Sequence, residues 1–315
     1  MKNGITAYRP QNGRKVSALV FLLCLSFHLS LAQTEPMYSQ YMFNTLPLNP
    51  AYAGSQEDFT ATSVYRKQWV NMDGAPSTQT LSAHSPIKNK NIALGFTAFN
   101  DRIGVTGRMG FSGVYAYRIN FKNKSKLSLG LQAGMIRMST GFTQLNTKLP
   151  NDPTLSMDRV SYTLPGVGTG IYWYSQRFFL GASAPDLLGL QVNKFSGQFV
   201  RHRHYFVHGG YAFKLTDQIC YMPGFLVKGV PGNPLQVDLN NIFIFNEVLW
   251  LGVSYRSLSS LNFLVMAQLT DQISLGYSYD APVSSYTYIA GASHELKLSY
   301  RFVYFKDNAY MPRYF

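Results

Sequence analysis

The clearest patterning in the chain runs over residues 109–121. Met109, Phe111, Tyr115, Tyr117, Ile119 and Phe121 alternate with Gly110, Ser112, Val114, Ala116, Arg118 and Asn120. One face is therefore aromatic and aliphatic, and the other small or polar. A helix through these residues would scatter Tyr and Phe around its circumference and leave no polar face, so the period of two predicts a strand. After Lys122-Asn123-Lys124-Ser125 the alternation returns, with Leu127, Leu129, Leu131, Ala133 and Met135 set against Ser128, Gly130, Gln132 and Gly134. Two such runs around a polar turn read as a hairpin.

Segments of the same kind recur at residues 58–66, 77–85, 91–100, 167–174, 178–184, 205–215, 219–228, 235–245, 248–256, 261–269, 273–279 and 294–302. With the hairpin they predict about fourteen strands, an even number such as bacterial outer-membrane barrels carry. The connections also alternate. Ser175-Gln176-Arg177, Thr216-Asp217, Asn246-Glu247 and Thr270-Asp271 are short, whereas residues 139–163, 185–203 and 280–293 are long. The predicted fold is all-β: a transmembrane antiparallel β-barrel over residues 58–302, with short periplasmic turns and longer extracellular loops. An even strand count then brings both chain ends to the periplasm. Closure is what lets a sheet live in lipid, because every backbone donor and acceptor must pair within the protein. Tyr115, Tyr117, Leu127, Leu129 and Leu131 are expected to face lipid, and Arg118 and Gln132 the lumen. Gly166, Gly168 and Gly170 share one strand face, where they permit sharp curvature or leave room for a plug. Leu215-Thr216-Asp217-Gln218-Ile219 recurs as Leu269-Thr270-Asp271-Gln272-Ile273, which reads as one tight turn used twice.

Composition narrows the class. Charged residues make up 14% of the 315, well under the about 25% of soluble domains, while aromatics reach 15%. No stretch has the about 18 consecutive apolar residues of a transmembrane helix. A barrel hides its hydrophobicity in alternate positions, consistent with a mean hydropathy of -0.07.

Lys2, Arg9, Arg14 and Lys15 precede an apolar stretch at residues 16–31 and the small-x-small sequence Ser30-Leu31-Ala32, which together predict a signal peptide (1–32) cleaved after Ala32. Leu23 before Cys24 departs from the lipoprotein pattern. Removing the leader takes away four of 28 basic residues and no acids, leaving 24 against 15 and a net charge of +9. In an exported chain this charge suits a basic lumen, anionic lipid or a periplasmic partner, not nucleic acid. Cys220 alone remains, so no intramolecular disulfide forms.

Candidate chemistry is sparse. Arg201-His202-Arg203-His204 with His208 sets imidazoles at even spacing. The arginines disfavour a cation, however, and His202 and His208 would stand roughly 20 Å apart along a strand, so the reading is a solvated basic rim and no metal site. His84 with Ser82 or Ser85, and His294 with Glu295, are the nearest approaches to a hydrolase. No nucleophile elbow accompanies them, and adjacent strand residues point to opposite faces. No enzyme activity and no cofactor are expected.

The start of the mature chain carries a more specific signal. Gln40-Tyr41-Met42-Phe43-Asn44 is followed by Leu48-Asn49-Pro50-Ala51-Tyr52-Ala53-Gly54-Ser55. Further on come Arg66-Lys67-Gln68-Trp69, the run from Gly95 to Gly104, and His294-Glu295-Leu296 with Leu298 and Tyr300. These residues resemble the PorP/SprF family of type IX secretion and gliding proteins, over nearly the whole mature chain. The resemblance implies a fourteen-stranded barrel in the outer membrane. It also implies association with a periplasmic peptidoglycan-binding lipoprotein or other type IX components, or the secretion and retention of a surface protein. Within the lumenal or periplasmic segment 33–57, Pro36, Pro47 and Pro50 break regular structure while Met37, Tyr38, Tyr41, Met42, Phe43 and Tyr52 offer apolar anchors. Gln40, Phe43, Asn44, Asn49, Pro50, Tyr52 and Gly54 are the candidate partner-binding residues, and a lumen plug is the alternative use of the segment. A porin-like channel for small solutes is the alternative function. Residues 303–315 are read as a C-terminal tail.

Overall fold

A computed structural model describes residues 37–87, 91–141, 160–189, 191–194, 197–257, 259–283 and 289–302. The predicted leader, the C-terminal tail and Leu149-Pro150-Asn151-Asp152-Pro153 lie outside the described residues. Strands β1 (Phe59–Lys67), β2 (Ser77–Pro86), β3 (Ile92–Ile103), β4 (Thr106–Asn120), β5 (Lys126–Thr140), β6 (Val160–Tyr174) and β7 (Phe178–Asp186) follow one another, each antiparallel to the last. A separate hairpin of β8 (Gln191–Lys194) and β9 (Gly197–Val200) interrupts them. The wall resumes with β10 (His204–Tyr211), its continuation β11 (Phe213–Lys214), β12 (Ile219–Gly229), β13 (Gln236–Phe245), β14 (Leu249–Arg256), β15 (Ser260–Gln268), β16 (Ile273–Pro282) and β17 (Ser293–Phe302). Because β10 pairs with both β7 and β12, and β17 returns to β1, the sheet closes. With β10 and β11 taken as one stave, the barrel has fourteen strands.

Every short connection named above lies at the end of the barrel where β1 begins and β17 finishes, and the three long ones lie at the other. At the short-turn end, Asn246 (φ 50°) and Glu247 (φ 57°) are both left-handed, the signature of a primed two-residue hairpin turn. The repeated pentapeptide is one turn used twice: Thr216 Oγ1 accepts from Ile219 N at 3.0 Å, and Thr270 Oγ1 from Ile273 N at 3.0 Å. Lys214 hydrogen-bonds Asp217 there and holds its carboxyl below the usual range.

Several bounds differ from the sequence reading: β5 runs on to Thr140 and β16 to Pro282, the run 205–215 is broken into β10 and β11, and the β8–β9 hairpin has no counterpart in it. β3 and β4 extend until only Gly104-Val105 joins them, so the long-loop end also carries a tight turn. β6 begins at Val160, and its outward Ser161, Thr163 and Pro165 are exposed but not strongly apolar. A strand rising beyond the lipid meets water outside, and the apolar alternation stops although the ladder continues.

Within the band the faces fall as expected. Tyr115, Tyr117, Leu129 and Leu131 are exposed on the outer surface, Leu131 at 59%, whereas Arg118 is buried inside at 1%. Leu127 is half-buried on the outer side, and Gln132 points inward, where its Nε2 donates to Pro185 O at 2.7 Å. Leu131→Arg is therefore expected to destabilise the barrel by about 2–4 kcal/mol, read from urea unfolding in lipid vesicles. A change under about 0.5 kcal/mol would place residue 131 outside the hydrocarbon.

Of the basic string at 201–208 only Arg203 is exposed as a solvated rim would require, and His202 is half-buried. Arg201, His204 and His208 are all buried within the barrel, and Arg201 forms an ion pair with Asp186 on β7. Inside the barrel Arg201 takes a protein carboxylate as its partner and His208 a side-chain amide, that of Asn49.

Candidate functional site

The barrel interior is layered. Toward the short turns it is largely apolar, with Tyr174, Phe179, Met222, Ile244 and Trp250 pointing inward beside a buried Arg118. Toward the long loops it is charged, with Arg66, Asp238, Arg256, Asp280 and Glu295 buried. The segment ahead of β1 runs through both layers. Two 3-10 turns, Tyr41–Phe43 and Pro50–Tyr52, fold it into a compact plug.

At the charged end, Arg66 Nη2 lies 2.6 Å from Asp280 Oδ2 and Nη1 lies 3.1 Å from Glu295 Oε2. The plug completes this cluster. Ser39 N and Gln40 N donate to the two oxygens of Glu295 at 2.8 and 2.9 Å, and Ser39 Oγ donates to Asp280 at 2.7 Å. Buried carboxylates need such donors, because desolvation outweighs a single ion pair unless the remaining lone pairs are satisfied. Nearby, Arg256 bridges Asp238 at 2.9 Å and the carbonyl of Tyr38 at 3.0 Å.

Deeper in the lumen the plug is held by its apolar side chains and by the motif residues. Tyr41, Met42, Leu46 and Leu48 are buried, each contributing about 1.5–3 kcal/mol relative to water. Tyr41 OH accepts from Asn240 Nδ2. Phe43 lies under the Lys297 ammonium, 5.4 Å from its ring centre, and Asn44 Oδ1 accepts from Ser82 Oγ at 2.9 Å. Asn49 caps the second 3-10 turn, its Oδ1 accepting from Ala51 N at 2.9 Å, and donates through Nδ2 to Ile171 O at 3.0 Å and to His208 at 3.3 Å. Pro50 opens that turn, where its missing N–H costs nothing. Tyr52 packs edge-on against His84 and Tyr172, each at 5.5 Å.

At the exit to β1, Gly54 has φ 73° and donates from N to His84 Nδ1 at 3.1 Å, while its carbonyl accepts from Arg118. A side chain there would be strained and would overlap Ala93. The wall makes room in turn. Gly130 and Gly170 pair directly across β5 and β6. A Cβ on Gly130 would overlap the backbone of Pro50 and Ala51, and one on Gly170 the side chain of Asn49.

All seven candidate partner-binding residues thus come together in the lumen, and all but Phe43 are buried. The hydrolase candidates are spent on the same packing or outside it. His84 and Ser82 serve the plug, and His294 Nδ1 faces outward against Tyr277 OH at 2.7 Å while Glu295 faces inward. Sequence reading missed Ser39, Arg66 and Asp280, whose convergence depends on strand register. A cavity of about 100 Å³ remains above Pro47 and Leu48 in the long-loop half, walled by Phe99, Ile136, Arg201 and Phe206.

The path of the plug shows on which side the first described residues lie. Met37 and Tyr38 lie toward the long loops, beside Thr80 and Arg256, so the chain descends the lumen before β1 starts at the other end. Strand parity places the two ends of the wall together, but not the residues upstream of it.

Comparison with curated proteins gave no match. Among solved structures, the toluene transporter TbuX of Ralstonia pickettii superposes with a TM-score of 0.50 at 10% identity, covering 82% of this chain and 93% of that one. A FadL homologue of Pseudomonas aeruginosa gives 0.48 at 12% identity, covering 85% and 95%. At such identity, the likeness to TbuX speaks to the outer-membrane barrel fold alone. The family described as Type IX secretion system membrane protein PorP/SprF matches residues 30–300, the span that holds the plug, its glycine seat and the closed wall. This chain belongs to the PorP/SprF family and is a type IX secretion outer-membrane barrel.

Proposed function

We propose that this barrel is a plugged platform of the type IX machinery, which holds a periplasmic partner or retains a secreted surface protein rather than passing small solutes. One observation carries the reading: the chain's own residues 37–57 fill the lumen and hydrogen-bond the wall from Glu295 to His84. A diffusion pore needs a continuous wet path, and burying the plug works against one. In this reading the short turns face the periplasm and the long loops the exterior. The partner is a peptidoglycan-binding lipoprotein or another type IX component. Gln40, Phe43, Asn44, Asn49, Pro50, Tyr52 and Gly54 act in partner binding by setting the shape of the plug, and the partner meets what plug and wall present at the barrel ends.

Affinity purification of the tagged barrel from its native envelope tests this. A stoichiometric envelope or surface protein is expected to co-purify, and the isolated barrel is expected to give no steady current across a planar bilayer. A barrel that purifies alone and conducts as a stable ohmic pore would instead establish the channel.

A further inference from the structure

On the outer surface of the wall, charge is distributed unevenly. Among the described residues every Asp or Glu inside a strand faces inward: Asp101, Asp186, Asp238, Asp280 and Glu295 are each no more than 5% exposed. Three outward strand cations have no carboxylate partner, namely Lys67, Arg102 and Arg137, and all three sit at the long-loop ends of β1, β3 and β5. Register places two of them on one row. Lys67 pairs with Ser77, and Ser77 pairs with Arg102. At about 4.8 Å per strand the two cations stand roughly 10 Å apart. Arg137 lies one outward position nearer the membrane, opposite Met109. On the other side of Lys67 the row continues to His294 and Tyr279.

The row borders the apolar band. Immediately below it the outward positions are Tyr65 (46% exposed), the exposed polar Gln79 and Asn100, and Met109 (60%), and Met135 (52%) stands one step further down, below Arg137. The side-chain hydrogen bonds of Lys67 and Arg137 go to neutral oxygens, those of Ala75 and Ser161. Cations at the hydrocarbon boundary, with aromatic neighbours and no acid to neutralise them, match the level of a lipid headgroup.

We propose that Lys67, Arg102 and Arg137 form a binding arc for the phosphates of an anionic lipid in the leaflet around the long-loop end, with Arg102 and Arg137 offering forked donors and Lys67 a point charge. Lys67 and Arg102 are close enough to share one phosphate, and Arg137, two strands (roughly 10 Å) further round the wall, is placed for another. On the orientation proposed above this is the outer leaflet. The arc itself rests only on the register and the outward faces.

The test uses the whole mature barrel in neutral detergent with lipid A or phosphatidylcholine as probe, and bound lipid counted by native mass spectrometry. Lipid A is expected to be retained in preference to phosphatidylcholine. The double variant R102Q/R137Q is expected to bind it roughly 10- to 30-fold more weakly, while K122Q/K124Q, at exposed turn lysines of the opposite end, binds as wild type. Heat-modifiable migration establishes that each variant is folded. Undiminished lipid A binding by folded R102Q/R137Q would overturn the proposal. So would an equal loss in K122Q/K124Q, which marks general charge attraction, or displacement by millimolar inorganic phosphate, which marks a site for the free ion.

Discussion

Deleting residues 37–56 is expected to turn a closed barrel into a conducting one. The deletion removes Tyr41, Met42, Leu46 and Leu48 from the lumen, a loss of roughly 6–12 kcal/mol at about 1.5–3 kcal/mol per buried side chain. It also strips Glu295 and Asp280 of the donors supplied by Ser39 and Gln40. Water then replaces the plug, so part of that loss returns as hydration of the exposed charges. Two readings follow from one preparation: a lower urea midpoint, and sustained ohmic current in a planar bilayer where the full chain gives none. A deletion variant that stays non-conducting would mean that the wall or the long loops close the lumen without the plug.

The second large effect is expected at Arg66. Replacing it by Met leaves Asp280 and Glu295 buried at 3% and 1% exposure without their shared cation. Removing one partner of a buried ion pair costs about 3–5 kcal/mol, whereas neutralising the whole group is far milder. Arg66→Met should therefore lower stability by that amount, and adding Asp280→Asn with Glu295→Gln should restore most of it. If the triple variant is no more stable than Arg66→Met, the guanidinium acts through packing rather than charge. The size of the interaction energy in the mutant cycle makes that distinction.

What the sequence revealed depended on what each face meets. In the hairpin of β4 and β5, lipid on one side forces an apolar residue at every second position, so strands, faces and turn were all legible from Met109 to Met135. The inner face obeys no such rule, because a packed lumen accepts Arg118 beside Ala116 and Val114 as long as each finds its own partner. Arg201 and His208 were misread for this reason. Asp186 and Asn49, which receive them, are distant in sequence or lie in another element. The plug left one local sign, the glycines at 166, 168 and 170. Gly170 does seat Asn49, but its counterpart Gly130 becomes meaningful only once β5 and β6 are aligned. The motif around Asn49-Pro50-Ala51-Tyr52 stood out in the sequence, while its packing inside the lumen depends on contacts with β5, β6 and β10 that are remote along the chain.

The route of the plug constrains the order in which the molecule is assembled. Residues 37–57 occupy the axis of a wall whose seam is made by the first and last strands, β1 and β17. The segment's firmest charged contacts, Asp280 and Glu295, lie on β16 and β17, the last strands to be synthesised. Once the seam has zipped, a free N-terminal stretch would have to climb a crowded bore from the short-turn end to reach them. Threading is avoided if the unclosed sheet curls around the segment and the seam forms over it. The plug then serves as the mandrel on which the cylinder is wound.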